Sequence, residues 1–294
     1  MNEGSELTCQ AVDQAAWVES IVKGFIDESP ENTMKNEANE RAWAEPLVGF
    51  SSGADPLYLF YKEDIGSFFL TPVEWLEATF PESEMQDEGL TVISWILPQT
   101  MATKAEHRLP RNMPTERWAR ARIYGEEFND KLRGHVVEKL NKVGYKAVSP
   151  MLSPLWSRET SEKYGFASTW SERHAAYASG LGTFGLCDGL ITPKGKAMRA
   201  GSVIARMVIQ PSAREYEDHH AHCLYYAKGT CMECVDRCPA GAISEAGHDK
   251  ERCSKYLRVT RKYVESTFVF NGYGCGLCQT GVACESRIPP EIFR

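Results

Sequence analysis

Cys231-Met-Glu-Cys234-Val-Asp-Arg-Cys238-Pro239 is the stretch on which the reading of this chain turns. Cys223 stands eight residues ahead of it, and Cys253, the pair Cys275-Gly-Leu-Cys278 and then Cys284 follow it. Eight of the ten cysteines fall in this region, in an order that free thiols or disulfides would not need. A C-x2-C spacing lets two soft thiolates of one turn reach adjacent irons of the same cube. A proline after the third cysteine turns the chain away, so that this thiolate reaches a second cube. Two [4Fe–4S] clusters need eight thiolates, and eight are here.

The run matches the bacterial ferredoxin pattern and so predicts which cysteines share a cluster. By the crossing usual in that pattern, Cys238, Cys253, Cys275 and Cys278 hold one cluster, and Cys231, Cys234, Cys284 and Cys223 the other. Cys223 departs from the pattern, which places a cysteine at position 228, where this chain has Lys228. Either Cys223 reaches in, or three cysteines serve that cluster, with His220 or His222 as substitutes. A structural zinc site would use two C-x2-C pairs and leave the Cys-Pro step without a purpose. Cys9 and Cys187 fall outside the pattern and read as small buried apolar residues.

Length and composition set the frame. The 294 residues are 43% hydrophobic and 25% charged, enough apolar mass for a sizeable core and for one large domain or two ordinary ones. No apolar run approaches a bilayer span, and Met1-Asn-Glu-Gly-Ser-Glu lacks a basic start, an apolar stretch and a twin-arginine pair. The expectation is a cytoplasmic protein without membrane contact, where cysteines of this number serve metal or catalysis rather than disulfides. Net charge is −7, with 4 Lys/Arg against 19 Asp/Glu in residues 1–89 and 18 against 10 in residues 90–210. The acidic balance argues against a nucleic-acid partner. The basic middle either packs on the acidic first part or accepts an anionic cofactor or substrate.

Along the chain, residues 8–28 have helical apolar spacing, and Thr71-Pro72-Val73-Glu74 is a capping box that opens a helix reaching about Phe80. Leu57–Tyr61 is a short apolar segment that fits either helix or strand. Leu90–Leu97 reads as a buried central strand. A long helix from Thr115, with Phe128, Leu132, Val136 and Leu140 on one face, and a strand at 145–148 complete a β–α–β unit. Residues 171–179 form a helix stopped by Gly180, and 189–192 and 202–209 form strands on either side of a Pro193-Lys-Gly195 turn. The polar stretch 212–222 separates an α/β domain (1–210) from the cysteine domain (211–294).

Gly180-Leu-Gly182-Thr-Phe-Gly185 matches G-x-G-x-x-G literally. Here a helix precedes it, and no acidic residue follows between Asp188 and Glu215, so a nicotinamide site is excluded in favour of a tight turn. The run Ser171-Glu172-Arg173, Ala178-Ser-Gly180-Leu-Gly182-Thr-Phe-Gly185 and Gly189-Leu-Ile-Thr192-Pro-Lys-Gly195, placed ahead of the cysteine groups, resembles the epoxyqueuosine reductase and reductive dehalogenase superfamily. The resemblance covers about residues 145–285 and implies an α/β (α+β) fold. In it, a nitroreductase-like cobalamin-binding domain is followed by a bacterial-type two-cluster ferredoxin domain. It further implies that a reduced ferredoxin or flavodoxin-type donor feeds the clusters, that the clusters feed a base-off cobalamin, and that a small organic substrate is reduced. The alternatives are a non-catalytic electron-transfer protein and a flavin-containing reductase.

The resemblance assigns Arg173, Gly180, Gly182, Thr183, Gly185, Thr192, Lys194, Gly195 and Arg199 to cobalamin, with Tyr177 and Glu172 as the candidate catalytic residues. A phenol can deliver a proton to a carbanion or radical, which favours Tyr177 as donor. The chain departs from the superfamily in three places. Phe166-Ala-Ser-Thr169 stands where those reductases carry a proton-donating carboxylate. Five residues separate Cys278 from Cys284 rather than three, and Glu285 replaces the usual proline. The chain ends ten residues after Cys284, without the helical-repeat tail of those enzymes, and so reads as a short cytoplasmic paralogue.

Overall fold

The computed structural model describes residues 13–82 and 89–294. Helix α1 (Gln14–Glu28) begins on Asp13, whose carboxylate accepts from the amides of Ala15 and Ala16. The part of the expected helix at residues 8–12, and Cys9 with it, lies outside the described residues. Strand β1 (Leu47–Ser52) follows, then α2 (Pro56–Ile65), which settles the Leu57–Tyr61 segment as helix. Asp55 caps α2 and Pro56 occupies its first turn, where a missing N–H costs nothing. The capping box at Thr71 opens α3 (Pro72–Thr79) as its sequence demands.

Strand β2 (Thr91–Pro98) is buried along its whole length and lies antiparallel to β1. After α4 (Met101–His107), α5 (Glu116–Lys142) begins on Thr115 and runs back across the sheet to the short β3 (Ala147–Val148). The main sheet has the order β1-β2-β8-β3, where β8 is Met198–Ala205. Strands β2 and β3 each pair antiparallel with β8, so the expected β–α–β unit is split by a strand from much later in the chain.

Two apolar layers sandwich this sheet. Ile93, Trp95 and Leu97 face α1 and α5, meeting Val18, Val22, Phe128 and Leu132. Val92 and Ile96 face the other way, toward Tyr58 on α2 and Trp75 on α3. The period-2 alternation of β2 is therefore spent on two cores, as expected of a strand buried on both faces.

Between β3 and β8 lie a hairpin, β4 (Arg158–Ser161) with β5 (Gly165–Ser168), then α6 (Glu172–Ala178) and the pair β6 (Thr183–Phe184) and β7 (Leu190–Ile191). The strand expected at 189–192 thus pairs with 183–184 rather than across the Pro193 turn. The turn itself forms, with the Thr192 hydroxyl donating to the Gly195 carbonyl at 2.7 Å. The next two amides then leave the hairpin: Lys196 donates to Cys284 O at 2.9 Å and Ala197 to Glu285 O at 3.2 Å.

The cysteine region adds α7 (Leu224–Lys228), α8 (Glu233–Asp236), a small β9 (Ile243–Ser244) and β10 (Gly247–His248) pair, and α9 (Lys250–Phe268). The polar stretch before it is held to the α/β region: Ser212 exchanges hydrogen bonds with the Phe50 backbone, and Tyr216 Oη donates to Tyr177 O at 2.8 Å. Among the described residues no helix is long and apolar enough to cross a membrane.

Candidate iron–sulfur centre

The cysteine module is fastened by Arg237, which the sequence places between Cys234 and Cys238. Its buried guanidinium donates to Leu277 O and Thr280 O within the module. It also reaches His107 O at the end of α4 and Arg108 O and Pro110 O just beyond it. Opposite, the His107 ring stacks on Trp118 at 4.2 Å and its Nε2 meets Cys275 O at 2.8 Å. Burial pushes His107 down to about 3, so the ring is neutral. Gly276, between Cys275 and Cys278, has φ +65°, and a Cβ there would stand 2.0 Å from the Trp118 ring. Only glycine permits both that turn and that approach.

Cys223, Cys231, Cys234 and Cys284 line one cavity, together with Leu186, Ile191 and Lys196. This first set is the one expected to include Cys223, the cysteine whose spacing departs from the pattern. The two histidines that competed with Cys223 each have one ring nitrogen engaged elsewhere: His220 Nδ1 meets Phe184 O at 2.9 Å and His222 Nδ1 meets Ile191 O at 3.0 Å. In the second set, Cys253 and Cys238 lie near Cys275, and Cys187 and Cys275 lie near Cys278. Burial raises the Cys275 and Cys284 thiols to about 11. Among the described residues no three His, Cys, Asp or Glu side chains form a site for a single metal ion. The donor set fits thiolate-ligated clusters: soft sulfurs in two groups, one group around a common cavity.

Cys187 is the residue that spacing did not find. It packs in one buried cluster with Cys234 and Cys284, with Cys278 against it, and accepts from Lys196 Nζ at 3.3 Å. Its place depends on the β6–β7 turn, which no cysteine spacing reveals.

The residues assigned to cobalamin are engaged by the chain itself. Arg173 donates to Asp188 O, Lys194 Nζ pairs with Glu45 at 2.9 Å, and Thr183 Oγ1 accepts from His222 N at 2.9 Å. Thr192 is spent on its own turn. A Cβ at Gly180 would stand 2.5 Å from Ala213 O, at Gly182 2.3 Å from Ile191 O, and at Gly185 3.1 Å from the Ile191 side chain. Gly195, at φ +82°, would place a Cβ 2.1 Å from Glu285 O. Gly180 and Gly182 bring backbone against backbone and Gly195 docks its turn on the module, while Gly185 lines the cavity shared by the cysteines. Arg199 Nε pairs with Glu126 at 2.6 Å while its buried Nη2 has no partner, the one orphaned polar atom of the nine residues. As a set, the nine do not fit an open cofactor site.

The two catalytic candidates sit in different surroundings. Glu172 accepts from Arg133 Nε at 3.0 Å and from the Ser202 hydroxyl, inside a buried network that joins α5, α6 and β8. Burial raises its carboxyl against the pull of Arg133. Glu126 receives Arg133 at 3.1 Å and Arg199 at 2.6 Å. Burial works against ionisation there, but Arg199, Arg133 and Arg122 hold its carboxyl down to about 2. Tyr177 is buried, its ring 5.8 Å from Phe184 and 5.2 Å from Tyr216, and burial raises its phenol.

No family model matches the chain. An epoxyqueuosine reductase of Bacillus anthracis is 28% identical over 156 residues, 51% of this chain and 34% of that protein. One from Staphylococcus aureus is 29% identical over 115 residues, 37% of this chain and 28% of that protein. The chain thus spans about a third of the length of the curated relatives it matches. Among solved structures, the Bacillus subtilis epoxyqueuosine reductase has a TM-score of 0.48 at 18% identity, covering 84% of this chain and 63% of the other. An epoxyqueuosine reductase bound to a tRNA stem loop gives 0.45 at 18%, covering 94% and 69%. A catabolic reductive dehalogenase with 3-bromo-4-hydroxybenzoic acid gives 0.47 at 14%, covering 95% and 38%. Over roughly half of its length the chain is similar in sequence to epoxyqueuosine reductases.

Proposed function

We propose that the chain is an iron–sulfur reductase in which Cys223, Cys231, Cys234 and Cys284 hold one [4Fe–4S] cluster and Cys238, Cys253, Cys275 and Cys278 the other. The observation that carries this reading is the cavity lined by all four thiols of the first set. The names of the sequence relatives support the reductase part. Electrons enter from an acidic protein donor of the ferredoxin or flavodoxin kind. Helix α9, which bears Cys253, presents Arg252, Lys255, Arg258 and Lys262 to solvent, a basic face on a chain of net charge −7. Such a face steers an acidic partner toward the cluster beneath it.

The acceptor implied by the resemblance is a base-off cobalamin that reduces a small organic substrate. The residues it would use are held by the chain, so no step is assigned to it. Tyr177 is the proton donor in this reading, its raised phenol keeping its proton at neutral pH. Glu172 holds α6 in place through Arg133. The engagement of the nine assigned residues favours a second reading, in which the α/β domain delivers electrons to a partner.

Anaerobic purification with iron and sulfide analysis tests the clusters, about eight irons per chain being expected for two cubes. Iron near zero overturns the proposal. Visible spectra with and without added cobalamin separate the readings: bands that change on mixing and bleach on reduction favour the cobalamin enzyme, and iron–sulfur absorption alone favours electron delivery.

A further inference from the structure

Lys196 is 3% exposed, and among the described residues its ammonium pairs with Cys187 rather than with a carboxylate. It follows Gly195, whose packing on Glu285 O and the Ser286 amide fixes the turn, and its own amide is held by Cys284 O at 2.9 Å. The side chain lines the cavity shared by Cys223, Cys231, Cys234 and Cys284. Its Nζ meets Cys187 Sγ at 3.3 Å, and Cys187 in turn packs with Cys234 in one buried cluster against which Cys278 lies. An ammonium taken out of water needs an anion close by, and the groups here that can supply one are thiols. The lysine therefore belongs to the cysteines, although no cysteine spacing calls for it.

We propose that Lys196 is the fixed positive charge that sets the reduction potentials of the cluster sites, with Cys187 linking it to both cysteine sets. The proposal rests on the two-cluster reading. Each one-electron reduction, by a low-potential protein donor, adds one negative charge to a buried thiolate-bound centre. A neighbouring ammonium stabilises the reduced state more than the oxidised one, because the Coulomb term is large where water is excluded. Net charge and hydrogen bonds to sulfur are among the levers that tune such centres. Lys196 touches neither donor nor substrate, so it is a positioning residue for charge rather than a catalytic one.

The test is an EPR-monitored redox titration of full-length protein, wild type against Lys196→Met and Lys196→Arg, with iron measured in each. The proposal expects at least one cluster potential to move to more negative values in Lys196→Met, and Lys196→Arg to stay near wild type. Full iron with unchanged potentials in Lys196→Met overturns it. If Lys196→Met folds by circular dichroism but loses iron while Lys196→Arg keeps it, the requirement for positive charge stands. If both lose iron equally, Lys196 is packing and the proposal falls. Wild-type protein without iron sinks the two-cluster reading itself, an outcome read separately from any shift.

Discussion

Arg108, one residue beyond α4, grips Glu285, the residue after the last cysteine: its Nε lies 2.9 and 3.1 Å from the two carboxylate oxygens. The Gly281 amide donates to the same carboxylate at 2.7 Å. Glu285 stands where related cysteine patterns carry a proline, and the structure gives the substitution a purpose. A proline lets the chain turn, whereas a buried glutamate ties that turn to the α/β domain. Arg108→Ala is expected to lower stability by about 1–3 kcal/mol, the cost of leaving a buried acceptor short of a partner. Denaturant unfolding followed by iron–sulfur absorbance reads it, and an unchanged midpoint contradicts the tie.

Cys223 carries the sharpest prediction about the clusters. Cys223→Ala should reduce iron from about eight per chain toward about four, because one cube loses a corner ligand. Cys9→Ala should leave iron unchanged. Iron unaffected by Cys223→Ala removes it from the ligand set.

Gly195 has a backbone role that a side chain would defeat. Gly195→Ala incurs about 1–2 kcal/mol of left-handed strain, and its Cβ would overlap the Glu285 backbone. The expected outcome is a protein that keeps its far-UV dichroism but loses iron faster to a chelator. Chelation rates equal to wild type would refute the docking role.

The buried network around Arg133 is a stability device. Arg133 is 1% exposed and serves Glu126, Asp130 and Glu172 together. Arg133→Met leaves the largely buried Glu172 without its cationic partner and should cost about 3–5 kcal/mol. Glu172→Gln should cost less, since it removes the charge as well as one contact. Equilibrium unfolding of both variants at neutral pH checks the order.

Acid sensitivity follows from His174. Burial, helped by Arg173 and Lys250, pushes the ring down to about 3 from the ordinary 6.5. Between those values the unfolded chain binds a proton that the folded chain refuses. Its contribution to stability is therefore complete above pH 6.5 and lost as pH falls, at about 1.4 kcal/mol per pH unit. Glu126, held down to about 2, adds loss of the same sign below about pH 4.5. His174→Phe should flatten the dependence of melting temperature on pH between 6.5 and 4.5. A slope identical to wild type would show that the ring does not titrate there.

Much of this was legible in the sequence where local chemistry governs. The Thr71 capping box, the α5 face from Phe128 to Leu140 and the doubly buried β2 each follow from periodicity or a cap. The insertion of β8 between β2 and β3 was not legible, because antiparallel pairing over a hundred residues leaves no local mark. The same holds at the site. Cys231, Cys234 and Cys238 announce themselves by spacing, whereas Cys187 joins them through the β6–β7 turn and Lys196 because the Thr192–Gly195 turn folds back on Cys284. Gly180, Gly182 and Gly195, which the resemblance assigns to cobalamin, stand against neighbouring backbone.

Arg237 has a further consequence for how the protein could be taken apart. Its guanidinium bonds carbonyls on both sides of the proposed boundary, from Pro110 at 2.8 Å to Thr280 at 3.0 Å. A fragment starting at residue 211 would keep every thiol of both sets but lose His107, Arg108 and Pro110, half of the frame that orients them. The cysteine region is therefore a poor candidate for transplantation: its ligands are portable, while the scaffold that spaces them is borrowed from the other end of the chain.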